Sequence, residues 1–88
     1  MKRLLVINPN TSESVSALLR RHVQAECGAG VQVDVLTARF GAPYISCEAS
    51  YAVAAHAVFG AWGVACAQGP RTGAVLIGCF GDPGLLGL

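Results

Sequence analysis

Leu4-Leu5-Val6-Ile7 and Ala74-Val75-Leu76-Ile77 are short apolar runs without polar alternation. No other feature restricts the fold as much. A strand exposed on one face alternates apolar and polar residues, whereas a strand covered on both faces does not. Such strands belong to parallel sheets with helices packed on either side. Each run stops at a loop of turn-forming residues. Asn8-Pro9-Asn10 follows the first, and Gly78-Cys79-Phe80-Gly81-Asp82-Pro83-Gly84 follows the second.

The intervening sequence supplies the connections. Arg3 to Ile7 is the first strand. Thr11 or Ser12 then caps a helix running from Ser12 to about Glu26, with Glu13 placed at the positive end of its dipole. Val15, Leu18, Leu19 and Val23 form its apolar face, and Ser14, Ser16, Arg20, Arg21 and Gln24 take the other side. Gly28 and Gly30 end it. Val31 to Thr37 alternates and makes a second strand near a sheet edge. Residues 38–47 are a loop containing Gly41, Pro43 and Tyr44. An alanine-rich helix runs from Glu48 to about Gln68, with a kink possible near Gly60 and Gly63. Ala74 to Gly78 is the third strand.

The expected fold is therefore α/β: a three-layer β-α-β-α-β arrangement around a parallel sheet. Right-handed crossovers put the first strand between the others, in order 2-1-3. The loops after the first and third strands become neighbours at one rim, and ligands of open parallel sheets bind outside the carboxyl ends of the strands.

Composition limits the alternatives. The 88 residues allow one domain at most, spanning 1–88. They are 53% apolar and 12% charged, an unusually apolar balance for a small soluble surface. Some of that surface is expected to meet further chain or a partner. With six basic and five acidic residues there is no basic stripe for nucleic acid. The apolar run after Lys2-Arg3 is too short for a signal peptide. No run approaches membrane-spanning length, and the expected compartment is the cytoplasm. The cysteines, at 27, 47, 66 and 79, form no CxxC and no Cys/His metal spacing. Free thiols are expected, and no metal.

Cys79 is the cysteine at a strand's carboxyl end. There a thiolate serves as nucleophile or proton-abstracting base; alternatively, Cys79 is a small buried hydrophobe. Asn8, Asn10, Thr11 and Ser12 bring amides, hydroxyls and a helix N-terminus suited to an anion, or else form only a turn and a cap. Neither GxGxxG nor GxxxxGK[ST] occurs. Asp82 is either a partner for a base or a turn former before Pro-Gly. Tyr44 either reaches the same rim or packs beneath its loop. His22 and His56 fall within helices, away from the rim. Cys47, in a loop or helix cap, is the one other thiol with a chance of approaching it.

Leu5-Val6-Ile7-Asn8-Pro9-Asn10-Thr11-Ser12 and Gly78-Cys79-Phe80-Gly81-Asp82-Pro83-Gly84-Leu85 together resemble the aspartate/glutamate/hydantoin racemase superfamily, nearest its hydantoin racemase branch. Gly41-Ala42-Pro43-Tyr44-Ile45-Ser46 resembles that family's loop after its second strand. The resemblance implies a cofactor-independent enzyme of two similar α/β halves. Two cysteines face each other across a small substrate, an amino acid, hydantoin or similar carboxylate or amide. One removes the proton at the stereocentre and the other returns one from the opposite side. Cys79 matches the first cysteine. Asn8, Thr11, Ser12 and the backbone at Phe80 and Gly81 match positions that hold an anion or carbonyl; Asn10 and Tyr44 join them as substrate-binding candidates. The second cysteine belongs to a second half outside these 88 residues, so the chain is expected to be a truncated, incomplete half, inactive alone and prone to self-association or pairing with that half. The competing expectation is a non-catalytic α/β module that keeps an anion site.

Overall fold

The computed structural model describes residues 2–68, 73–79 and 83–88. The elements follow in the order β1 (Lys2–Asn8), α1 (Glu13–Cys27), β2 (Val31–Thr37), α2 (Glu48–Ala67), β3 (Ala74–Ile77) and a short 3-10 turn, Leu85–Gly87. The three strands form a parallel sheet in the order β2-β1-β3. Lys2 pairs with Val31, and Asn8 with Thr37; Leu4 pairs with Ala74, and Ile7 with Ile77. The architecture and strand order expected from the sequence are therefore present.

Alternation along β1 assigns the two faces. Leu5 and Ile7 join Val58 and Ala61 of α2 and Ile77 of β3 in the main apolar cluster. Asn8 lies on the opposite face, where its amide reaches Ser16 of α1. One helix thus covers each face and completes three layers. Val6 and Ile7 are fully buried, which explains why β1 shows no polar alternation.

Helix α1 departs from the expected face. Leu18 is 47% exposed, whereas Ser16, assigned by periodicity to the outer side, is buried. The inward stripe is rotated because Ser16 finds polar partners beneath it, so its burial leaves no hydroxyl unsatisfied. Ser12 caps the helix and accepts from the Val15 N–H. Gly28 ends it at φ 74°, a conformation that a side chain disfavours. Arg20 Nη1 donates to Val33 O and Gln24 Nε2 to Val31 O, at 3.1 Å each. These bonds satisfy two carbonyls of the edge strand and make it a poorer template for another chain.

Helix α2 is a single continuous element of 20 residues, with no break at Gly60 or Gly63. It amends one expectation: by length and composition alone it could cross a bilayer. In this fold it lies on the sheet through Ala54, Ala57, Val58 and Ala61. Its small residues allow that close approach and also leave apolar surface outside. Phe40, Val53, Phe59 and Leu85 are all more than two-fifths exposed, which is where the apolar excess of the composition emerges.

Candidate functional site

The rim at the carboxyl ends of the strands begins with Asn8, which is completely buried. Its Nδ2 donates to Ser12 O and Ser16 Oγ, both at 3.0 Å, and its Oδ1 accepts from the Asn10 N–H at 3.1 Å. Its backbone oxygen accepts from Ala38 N at 2.9 Å. Asn8 is a candidate substrate ligand on sequence grounds, yet here its side chain is committed inward, to the loop that it folds. Asn10 repeats the device one step later: its Oδ1 accepts from the Ser12 N–H at 2.9 Å. Two successive Asx turns therefore bend Asn8–Ser12 into the start of α1. Ser12 Oγ lies 2.9 Å from Ser14 Oγ. Thr11 N–H donates to Ala42 O at 3.1 Å, stitching this loop to the one after β2.

Cys79 reaches the same rim from β3. Gly78 N–H donates to Ile7 O at 2.9 Å, which sets the residue before the thiol beside the end of β1. The Cys79 N–H then turns back to Ile77 O at 2.9 Å, the short bend of a γ-turn. A Cβ on Gly78 would come within 2.8 Å of Leu19 Cδ1, so a side chain here would require the Leu19 side chain of α1 to shift. Cys79 is partly buried and packs against the edge of the main apolar cluster. Beyond it, Pro83 is fully buried, and Gly84, at φ 84°, fits against Ala55 O and Val58. Both flanks of the cysteine loop are thus anchored to the core. Phe80, Gly81 and Asp82 lie outside the described residues.

Tyr44 follows the stitched Ala42 by two residues, but its side chain is 77% exposed. It does not pack under its loop. His56 stacks edge-on against Phe40, with centroids 5.1 Å apart, as a helix-surface residue. A hollow of about 310 Å³ lies elsewhere, along β2 between Arg3, Asp34 and Gln68, and no rim residue lines it. Sequence reasoning missed Ser16 and Thr37. Their hydroxyl oxygens lie 2.6 Å apart, and Ser16 also receives the Asn8 amide. Ser16 sits four residues after the cap Ser12, one helical turn on, and that spacing was the available signal.

All four cysteines are free thiols. Cys47 is the N-cap of α2; its N–H donates to Ser50 Oγ at 3.1 Å, and its Sγ lies 3.5 Å from the same oxygen. The Ser50 hydroxyl, helped by the Ser50 and Ala49 N–H groups, holds this exposed thiol below its ordinary range. A lowered pKa means more thiolate at a given pH, so alkylation begins at lower pH. Cys47 should therefore be labelled before half-buried Cys79, although strand-end position alone would favour Cys79. Peptide mapping after limited iodoacetamide treatment checks this order. Ser50→Ala should shift the onset of Cys47 labelling to higher pH; an unchanged onset would exclude this cause.

Two matches relate this chain to known proteins. A profile of the Asp/Glu/hydantoin racemase family matches residues 4–88. The allantoin racemase from Klebsiella pneumoniae superposes with a TM-score of 0.90 and 33% sequence identity. That alignment covers 99% of this chain and 35% of the racemase, so the chain spans about a third of its relative's length. No curated protein matches significantly. The family profile covers nearly the whole sequence, motif loops included, and the fold agrees with a solved racemase throughout; the chain belongs to the Asp/Glu/hydantoin racemase family.

Proposed function

We propose that this chain carries one acid/base side of a cysteine-dependent racemase site, with Cys79 exchanging a proton at a carbonyl-activated stereocentre. The observation that carries this reading is the Gly78 N–H to Ile7 O bond, which sets the Cys79 segment beside the Asn8–Ser12 loop. The chemistry follows from the acidity of the substrate. A proton on the carbon between a carbonyl and a nitrogen leaves as the C–H electron pair spreads onto the carbonyl oxygen. Donors fixed before the reaction stabilise that developing charge without reorganising. Asn10, Thr11 and Ser12, with the backbone at Phe80 and Gly81, are proposed for that role; Asn8 shapes the loop from beneath. Tyr44 is proposed at the outer margin of the ligand.

The step balances simply. The thiolate of Cys79 takes the α-proton and becomes a thiol, while the C–H electron pair becomes the enolate. Return of the proton restores both partners, and the step needs no cofactor. The structural match favours a substrate like allantoin, a ureido-substituted hydantoin, over a free amino acid. An anion-binding module without catalysis would keep the Asn10–Ser12 arc and make no use of the thiol.

A ligand covering Cys79 should slow its alkylation. In the presence of saturating allantoin, iodoacetamide labelling of Cys79 should fall several-fold while labelling of Cys47 and Cys66 stays constant. Equal labelling of Cys79 with and without allantoin would remove the support for this site.

A further inference from the structure

We propose that Ser16 is the positioning residue of the rim, acting with Thr37 and touching no ligand itself. Three elements meet at its hydroxyl. Asn8 Nδ2 from the end of β1 donates to Ser16 Oγ at 3.0 Å, and Thr37 Oγ1 from the end of β2 lies 2.6 Å away. Ser16 is 6% exposed and Asn8 0%. A buried hydroxyl with two such partners has its orientation settled by them, and the partners in turn are settled by it. Asn8 has two amide hydrogens, one used by Ser16 and the other by Ser12 O. That pair fixes the amide plane, so Oδ1 faces the Asn10 N–H at 3.1 Å. Asn10 Oδ1 then holds the Ser12 N–H at 2.9 Å. The chain of bonds thus runs from the buried face of a helix to the half-buried arc 10–12.

The same hydroxyl joins the two loops that border the arc. Thr37 is the last residue of β2 and opens the loop whose Ala42 O receives the Thr11 N–H. Asn8 and Thr37 are register partners across the sheet, and Ser16 bridges their side chains from above. Losing it would free Asn8 Nδ2 and Thr37 together, and the cost of an unpaired buried amide would be relieved by rotating Asn8. That rotation releases the Asn10 and Ser12 amides. The consequence for catalysis rests on the functional reading above; the consequence for the loop does not.

The test uses the 88-residue chain with Ser16→Ala, Ser16→Thr and Thr37→Val. Amide hydrogen exchange by NMR should accelerate about tenfold at Asn10 and Ser12 in Ser16→Ala, with Leu5, Val6 and Ile7 unchanged. Ser16→Thr, which keeps the hydroxyl, should restore protection; Thr37→Val should give a smaller change at the same two amides. Equal acceleration along β1 would reduce Ser16 to a residue of general stability and overturn the proposal, as would no change at Asn10 and Ser12. In parallel, exchange of the allantoin α-proton in heavy water should slow about tenfold in Ser16→Ala and recover in Ser16→Thr. If wild-type protein exchanges no α-proton, the racemase reading fails, and the amide pattern alone decides the role of Ser16.

Discussion

Asn8→Ala should destabilise the fold by about 3–5 kcal/mol, the largest stability loss expected from any single rim substitution. The side chain is fully buried and makes three hydrogen bonds. Truncation leaves the Asn10 N–H without its partner and removes one bond each from the Ser12 carbonyl, which keeps the Ser16 N–H, and from the Ser16 hydroxyl, which keeps Thr37. A lost bond costs about 0.5–1.5 kcal/mol, and a group left without any partner about 1–3 kcal/mol. A chain of this size has a total stability of only about 4–13 kcal/mol. Asn8→Asp should also be poor, because a carboxylate oxygen would face the Ser12 carbonyl where an N–H now donates. Asn10→Ala, at a half-buried position with one acceptor bond, should cost about 1 kcal/mol. Urea unfolding midpoints measure the series. A loss below about 1 kcal/mol for Asn8→Ala would show that the loop re-forms without its buried amide.

The second large effect concerns stereochemistry. Inversion requires a proton to leave one face of the carbon and another to arrive at the opposite face. Among the described residues, Cys79 is the one thiol at the carboxyl end of a strand. Cys47, the other candidate near a rim loop, turns its sulfur to Ser50 at the cap of α2. A single thiol returns a proton to the face from which it took it. Enantiopure allantoin should therefore lose its α-proton to heavy water with retention, and its optical rotation should decay no faster than in buffer.

The sequence made the scaffold legible because its strongest signals were local. Unbroken apolar runs marked β1 and β3 as buried on both faces, and the handedness of crossovers then left one strand order. The Asn-Pro-Asn and Gly-Cys motifs marked the rim, since only turn formers could end those strands so sharply. What the sequence concealed was long-range and polar. Periodicity placed Ser16 outward because a serine carries no apolar signal; its burial depends on Asn8 and Thr37, 8 and 21 residues away. The same limit applies to Asn8, whose amide serves a ligand or a loop equally well on composition alone. The expected reactivity of Cys47 rests on a hydroxyl three residues on, a capping contact that strand-end reasoning passes over.

The central claim is that Cys79 moves the proton. Its most direct test follows the α-proton signal of allantoin in heavy water by NMR, with optical rotation recorded on the same sample. Wild-type chain should exchange the proton about a hundredfold or more above the buffer rate, without added loss of rotation, and Cys79→Ala should return exchange to the buffer rate. Exchange that persists undiminished in Cys79→Ala would contradict the assignment and transfer the chemistry to another group.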